Sequence, residues 1–310
     1  MIRPRPGAPY LAGAPLLIAH RGGAALAPEN TLEAFRQAVR WWGCDVLEID
    51  VQPTRDGEVV VLHDANVDRT TDGRGPAAAH TLDALRELDA GYRYSPDGGR
   101  THPWRDRGVR IPTLAEVLEA FPTVRVNIEI KDARAGPRAR EVIAAAGAEG
   151  RVLVAAEDRA ARLAAGAHGA PTSASEQELR AFYLLHRLGL AALYRPEVDA
   201  LQLPFRHRNR VIPTPRFVRD AHRLNLPVHV WTVDEVEEMR WLLRAGVDGI
   251  VTDRPDRLAL VLHHTCGRPL PPGPSAEERE RYLERLLLDW PRAIDANVQG
   301  IEEEGHGSLR

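Results

Sequence analysis

Short apolar runs alternate with amphipathic segments along most of this chain, and that alternation limits its fold more than any other feature. Strand-like runs fall at residues 16–19, 46–51, 124–130, 151–155, 200–203, 228–231 and 249–252. Helical periodicity occupies residues 31–42, 113–120, 138–146, 158–165, 176–193, 215–224, 234–244 and 255–263. Strands that are nearly continuous in apolar residues are buried on both faces, so the pattern predicts a parallel sheet covered by helices. A faint further strand at 170–173 completes eight βα units within about 250 residues, the size of a (β/α)8 TIM barrel. A doubly wound open sheet is the rival fold, but no glycine-rich nucleotide loop follows the first strand. The expected class is α/β, a TIM barrel.

Two stretches interrupt the repetition. Residues 64–110 are polar and turn-rich, with Asp72-Gly-Arg-Gly75 and Ser95-Pro-Asp-Gly-Gly99, and are too long for an ordinary strand-to-helix loop. They predict a small insertion after the second strand, over one end of the barrel. Just ahead of them, Thr54-Arg-Asp-Gly57 has the residues of a hairpin turn, which would send residues 58–63 back antiparallel to that strand. Beyond Thr265, Pro269-Leu-Pro-Pro-Gly-Pro274 is a linker by composition, followed by a helical segment at 276–288 and an acidic tail. The expected organisation is a barrel domain over 1–264, with its insertion at 64–110, and a Pro-rich linker with a C-terminal helical extension over 265–310.

A formal net charge of −3 offers no basic field for nucleic acid. The two cysteines, Cys44 and Cys266, stand far apart in no metal-type spacing, which argues against a disulfide scaffold or a zinc site and fits a reducing compartment. Met1-Ile-Arg-Pro-Arg-Pro6 leads into no apolar signal-peptide core, and no later run is long enough to span a bilayer. A cytoplasmic protein without a transmembrane segment is the expectation.

The charged residues within the strand pattern collect near strand C-termini, where a barrel builds its site. The first strand ends in His20-Arg21-Gly22-Gly23, the second carries Glu48-Ile49-Asp50, and the third leads through Glu129-Ile130 to Lys131. Residues i and i+2 share a strand face, so Glu48 points with Asp50 and Glu129 with Lys131. Four charges in a barrel lumen are costly unless paired or bound to metal. Three carboxylates without a histidine or thiolate among them suit one hard divalent cation, Mg2+ or Ca2+. The alternative is an internal salt-bridge network around Lys131, which the excess of carboxylate leaves unbalanced. Lys131 is also the chain's only lysine. A compact ammonium at a strand end, in phase with a carboxylate, suits a contact to a phosphate oxygen. His20 and His63 each follow an apolar strand directly. Two imidazoles beside a carboxylate cluster suit acid–base work near neutral pH. Asp64 can orient His63 or cap the next turn, and Arg21 offers a forked donor for phosphate.

The ordered set His20-Arg-Gly22, Pro28-Glu-Asn-Thr31, Glu48-Ile-Asp50, His63-Asp64, Arg69-Thr-Thr-Asp-Gly73, Ile111-Pro-Thr-Leu114 and Glu129-Ile-Lys131 resembles the glycerophosphodiester phosphodiesterases. Val230-Trp-Thr-Val-Asp234 and Gly246-Val-Asp-Gly-Ile-Val-Thr-Asp253 extend the resemblance, which spans residues 16–262. It implies a TIM barrel with an insertion after the second strand, and metal-dependent hydrolysis of glycerophosphodiesters to an alcohol and glycerol 3-phosphate. It also implies that Glu48, Asp50 and Glu129 bind the divalent cation, that His20 and His63 are the general acid and base, that Arg21 and Lys131 hold the phosphate, and that Trp231 lines the glycerol or headgroup side. Other residues of the set have local readings of their own. Asn30 and Glu33 form a capping box, Glu29 is first-turn charge, and Asp253 is structural at a helix start.

Residues 181–194 are more apolar than a surface helix needs, and they lead to the basic loop Arg206-His-Arg-Asn-Arg210. A helix packed on the barrel and a solvated charge run account for both. The alternative is an acyl-chain wall beside a loop facing an anionic membrane, as the resemblance to the lysophospholipase D branch of the same family implies, with a lysolipid substrate and peripheral membrane contact. A non-catalytic polyol-phosphate binding barrel is the reading from another class. It would be favoured by loss of a histidine or a metal carboxylate, and none is lost.

Overall fold

The computed structural model describes residues 9–275 except 167, 168 and 209. The N-terminal hexapeptide, the helical segment expected at 276–288 and the acidic tail lie outside the described residues. In chain order the elements are β1 (Leu16–Ala19), α1 (Leu32–Arg40), β2 (Val46–Pro53), β3 (Val59–Val61), α2 (Leu82–Arg86), α3 (Leu114–Ala120), β4 (Arg125–Ile130), α4 (Gly136–Ala145), β5 (Val152–Ala155), α5 (Arg159–Ala165), α6 (Glu176–Arg187), β6 (Leu201–Pro204), β7 (Arg206–His207), β8 (Arg210–Val211), α7 (Pro215–Arg223), β9 (Val228–Trp231), α8 (Val236–Ala245), β10 (Gly249–Thr252) and α9 (Pro255–Cys266).

Parallel strands run in the order β5-β4-β2-β1-β10-β9-β6. Thr172 and Ser173 fill the gap between β5 and β6, bridging in parallel to Val154 on one side and Ala200 on the other. Ser173 N donates to Val154 O and Ala174 N to Ala200 O, each at 3.0 Å. This short stave closes the ring, so the chain is a TIM barrel, as its periodicity predicts. The stave is faint in sequence because it is small and partly polar. It is secured from outside by the buried guanidinium of Arg162, which donates to Thr172 Oγ1 at 3.2 Å and Glu178 Oε1 at 2.8 Å.

Register decides which residues enter the lumen. Glu48 pairs with Asn127 and Asp50 with Glu129 across β2 and β4, and paired residues of parallel strands share a face. The N-terminal end of the lumen is apolar: Tyr10, Leu16, Ile18, Val46, Leu153, Ala155, Ala200 and Val251 form one buried cluster. Arg125 Nη1 clamps the segment that carries Tyr10, donating to Tyr10 O at 2.9 Å and Ala12 O at 2.6 Å. The outer faces of the strands pack on the helices in the main core, which includes Phe35, Leu47, Ile49, Val117, Phe182 and Phe217.

β3 returns antiparallel to β2, with Val61 opposite Val51 and Val59 opposite Pro53, through a turn in which Gly57 has φ 86°. The segment after it has its own apolar cluster of Val60, Leu62, Val67, Leu85, Val109 and Ile111. That is why it stands as a compact insertion.

Two expectations need correcting. α1 is capped by Thr31, whose hydroxyl accepts from Ala34 N, so Asn30 and Glu33 do not form a capping box. The helix expected over 176–193 ends at Arg187. Gly189, at φ 73°, turns the chain in the left-handed conformation that commonly ends helices. Within the basic loop, β7 and β8 pair as a small antiparallel ladder. Among the described residues no helix is long and apolar enough to cross a membrane.

Phe182 is fully buried and meets the rings of Tyr194 and Phe217 edge-on at 5.3 and 5.1 Å. Phe182→Ala should cost about 3–5 kcal/mol in urea unfolding, the usual range for deleting a core aromatic. Because this cluster lies outside the sheet, turnover per folded molecule should be unchanged.

Candidate active site

Glu48 and Asp50 are 3% and 1% exposed, and one oxygen from each lies within 4.8 Å of the other and of a Glu129 oxygen. Burial, then the charges of Asp50 and Glu129, push the Glu48 carboxyl up to about 8. Three carboxylates this close resist ionising together. Lys131 Nζ lies 2.8 Å from Glu129 Oε1 and 3.2 Å from Asp50 Oδ1. Burial opposes its charge, but Asp50 and Glu129 outweigh burial and its pKa is raised. Asp50 Oδ1 is buried with no hydrogen-bond donor aligned on it. Oxygen-only donors, too little positive charge and an unsatisfied carboxylate oxygen together fit a hard divalent cation.

The loop after β1 wraps this cluster. Arg21, Gly22 and Gly23 take φ values of 51°, 86° and 93° in succession. A non-glycine residue held there costs about 1–3 kcal/mol, and Arg21 is held by several contacts. Its backbone N donates to Glu48 Oε2 at 3.0 Å and its Nη1 to Glu29 Oε1 at 2.9 Å, while its Nε lies 3.1 Å from Asp50 Oδ2. A side chain at Gly22 would put Cβ 2.7 Å from Phe35 Cδ1, so only glycine lets the loop lie on α1. Asn30, at φ 57°, donates Nδ2 to Asp50 Oδ2 at 2.9 Å. Its side chain fixes a site carboxylate rather than a helix end.

Each histidine has its Nδ1 on a carboxylate: His20 on Asp253 Oδ1 at 2.7 Å and His63 on Asp64 Oδ1 at 2.6 Å. That arrangement leaves Nε2 as the exchanging nitrogen of each ring. Burial lowers the His20 pKa, but the Asp253 hydrogen bond and the charges of Glu48 and Asp253 more than reverse this and raise it. Arg69 above all, and then His63, hold the Asp64 carboxyl down to about 2. Gln52, two residues beyond Asp50 on the same face of β2, donates to His63 O at 3.0 Å. Trp231 ends β9 and is 44% exposed at the same end of the barrel.

Two further local readings are overturned here. Asp253 is not merely structural, because it backs His20; it is itself set by Asp234, whose Oδ1 accepts from Asp253 N and the Thr252 hydroxyl, each at 2.8 Å. Glu29 is not first-turn charge. It lies ahead of α1 and pairs with Arg21 and Arg69. Burial raises its pKa, and the two arginines more than reverse that. In sequence Arg69 is visible only as the first residue of the matched segment Arg69-Thr-Thr-Asp-Gly73, with no role of its own, since it sits in a stretch with no periodicity to reveal which way it points. Gln52 was legible from the i+2 rule.

The apolar segment offered as an acyl-chain wall lies elsewhere. α6 starts where the strands end and runs away from that end. Its exposed leucines, Leu184 and Leu188, are 60% and 62% exposed, and at 1.5 Å per residue they lie roughly 13–20 Å from the helix start. Arg206, in the basic loop, lies on the Phe205 ring and 3.6 Å from Glu238.

Carboxylate-backed histidines beside an all-carboxylate cluster, at the strand ends of a TIM barrel, are an arrangement suited to a barrel hydrolase of phosphate esters. Residues 20–257 match the Glycerophosphoryl diester phosphodiesterase family. The chain is 33% identical over 253 residues to the glycerophosphodiester phosphodiesterase of Caldanaerobacter subterraneus subsp. tengcongensis, covering 78% of this chain and 96% of that one. Among solved structures, a glycerophosphoryl diester phosphodiesterase domain from Mycobacterium tuberculosis superposes with a TM-score of 0.72 at 24% identity, over 81% of this chain and 100% of that one. A phosphodiesterase from Oleispira antarctica, solved with its product sn-glycerol-3-phosphate, gives a TM-score of 0.59 at 23% identity, over 80% and 97% of the two chains. The protein belongs to the glycerophosphoryl diester phosphodiesterase family and is an enzyme.

Asp253→Asn should lower the His20 pKa, because the anion that stabilises its imidazolium is removed. An NMR titration of the ring in metal-free protein measures this. An unmoved His20 titration would mean that the Asp253 contact is not made in solution.

Proposed function

We propose that this protein hydrolyses glycerophosphodiesters to an alcohol and sn-glycerol 3-phosphate. The observation that carries the reading is the pair of carboxylate-backed imidazoles, His20 and His63, beside the cluster of Glu48, Asp50 and Glu129. The product named for the Oleispira antarctica structure supports the same substrate class. Glu48, Asp50 and Glu129 would hold one divalent cation, Mg2+ or Ca2+. When bound it supplies Lewis-acid stabilisation of charge on the phosphoryl oxygens.

The chain's own residues do the rest. One histidine takes through Nε2 the proton of the attacking group, which is water or the substrate's own glycerol hydroxyl, and the other delivers a proton to the departing alcohol; on the second route water then opens the cyclic phosphate to glycerol 3-phosphate. Arg21, anchored by Glu29, presents its guanidinium towards the phosphate. Lys131, beside Asp50 and Glu129, offers its ammonium to a phosphate oxygen. Trp231 offers an exposed apolar face to the glycerol or headgroup. Residues 1–264 act as the catalytic unit and 265–310 lie outside the chemistry. A cytoplasmic location is supported by the two free cysteines.

The test is product analysis on glycerophosphocholine and lysophosphatidylcholine with and without EDTA. Glycerol 3-phosphate should form from the first, chelation should abolish it, and Mg2+ or Ca2+ should restore it. Full turnover by metal-stripped protein would sink the assignment of the carboxylates. Faster release of choline from lysophosphatidylcholine would move the substrate to lysolipids.

His20→Ala and His63→Ala should each lose roughly two to four orders of magnitude in rate, the scale of a positioned acid or base. Lys131→Arg should fold normally and turn over poorly, because a fork does not replace a compact ammonium. An unchanged kcat/KM in any of the three would remove that residue from the mechanism.

A further inference from the structure

Arg69 spends both edges of its guanidinium on two carboxylates from different parts of the chain. Nε and Nη2 donate to Asp64 Oδ2 and Oδ1 at 2.7 and 3.1 Å. Nη1 and Nη2 donate to Glu29 Oε2 and Oε1 at 2.6 and 2.8 Å. Each carboxylate shares one oxygen with a second partner. Asp64 Oδ1 also meets His63 Nδ1, and Glu29 Oε1 also accepts from Arg21 Nη1. A continuous path therefore runs from His63 through Asp64, Arg69, Glu29 and Arg21 to Asp50. Its two halves come from separate loops: Asp64 and Arg69 open the insertion after β3, while Arg21 and Glu29 belong to the loop after β1.

An isolated ion pair this exposed contributes little to stability, and the Arg69 side chain is 46% exposed. Its geometry is what distinguishes it. A doubly forked arginine fixes the plane and rotation of both carboxylates, which a lysine point charge cannot do. Fixing Asp64 fixes the oxygen that faces the His63 ring, and fixing Glu29 fixes the oxygen that holds Arg21.

We propose that Arg69 is a positioning residue that locks His63 and Arg21 into one preset unit across the two loops. The proposal rests on the roles given above to His63 and Arg21, and it adds that the acid–base group and the phosphate-holding group are aligned by a single shared cation. Arg69 acts through the two carboxylates it holds, Asp64 and Glu29.

The experiment is steady-state kinetics on glycerophosphocholine, with saturating Mg2+ or Ca2+, for Arg69→Met, Arg69→Lys and Tyr94→Phe, with Arg69→Met also made in the Asp64→Asn background. Tyr94 OH donates to Ala25 O at 3.1 Å, a second contact between the same two loops that touches neither Asp64 nor Glu29. Arg69→Met should lose roughly 10- to 100-fold in kcat/KM, the scale of groups that orient active side chains. Both kcat, through His63, and KM, through Arg21, should be affected. Arg69→Lys should stay impaired because the charge survives and the fork does not. Tyr94→Phe should match the wild type.

The Asp64→Asn background separates positioning from simple loss of structure. Arg69 reaches His63 through Asp64, so in that background Arg69→Met should cost far less in kcat than it does in the otherwise unchanged protein. Wild-type kcat/KM in Arg69→Met would overturn the proposal, as would full activity in Arg69→Lys or an undiminished further loss in the Asp64→Asn background. If Arg69→Met does not fold, the Lys variant decides alone. His63→Ala in the same assay keeps the two readings apart. A wild-type rate there breaks the functional reading itself, whereas an inactive His63→Ala beside a normal Arg69→Met breaks only this inference.

Discussion

The crowding of three carboxylates at one end of the lumen is the constraint from which the rest of the site follows. Glu48, Asp50 and Glu129 hold oxygens within 4.8 Å of one another, and Lys131 is the ammonium set among them. Nearby cationic and dipolar groups are drawn into the same arrangement. Arg21 accepts a left-handed backbone to aim its N–H at Glu48 and its Nε at Asp50, and Asn30 accepts one to aim its amide at Asp50. Backbone strain of this kind persists only where surrounding contacts over-determine it. Here the contacts are charge-assisted, and they join residues far apart in sequence.

The barrel keeps this charge away from the parts that hold it together. The N-terminal end of the lumen is closed by Tyr10 and its aliphatic neighbours, and the main core lies between the strands and the helices. Between floor and mouth, His229 is fully buried with neither ring nitrogen hydrogen-bonded, and burial pulls its pKa down to about 4. It is therefore a neutral ring at physiological pH. The same residue type meets opposite surroundings two strands apart: carboxylates favour the charged form of His20, and burial favours the neutral form of His229.

The sequence carries more of the fold than of the site's wiring, and the reason is physical. A barrel strand must be apolar on both faces, so most strands are visible as runs. The two-residue stave at Thr172–Ser173 is nearly silent because it is too short to show a period. The carboxylates and histidines are legible because strand geometry fixes the face of residues i and i+2, which also covers Gln52. Loop residues obey no such rule. Asn30, Glu29 and Asp253 each admit a local reading, as cap, first-turn charge and helix start. The local reading fails for Asn30 and Glu29 because a long-range partner offers a stronger, charge-assisted contact than the nearby backbone does, whereas α9 does start at Pro255 and Asp253 adds its contact to His20.

Arg69 marks the limit of that reasoning from the other side. The residues from 64 to 76 around it have no helical or strand period, and an arginine in a polar stretch of an arginine-rich chain carries no periodic signal. Its position is set by two carboxylates, one five residues away and one forty. The insertion that carries it has a separate apolar cluster and can hold a shape of its own. What the insertion delivers to the barrel is then a fork that meets the loop after β1 through Glu29. The alignment of Arg21 therefore depends on a residue that the barrel repeat itself does not contain.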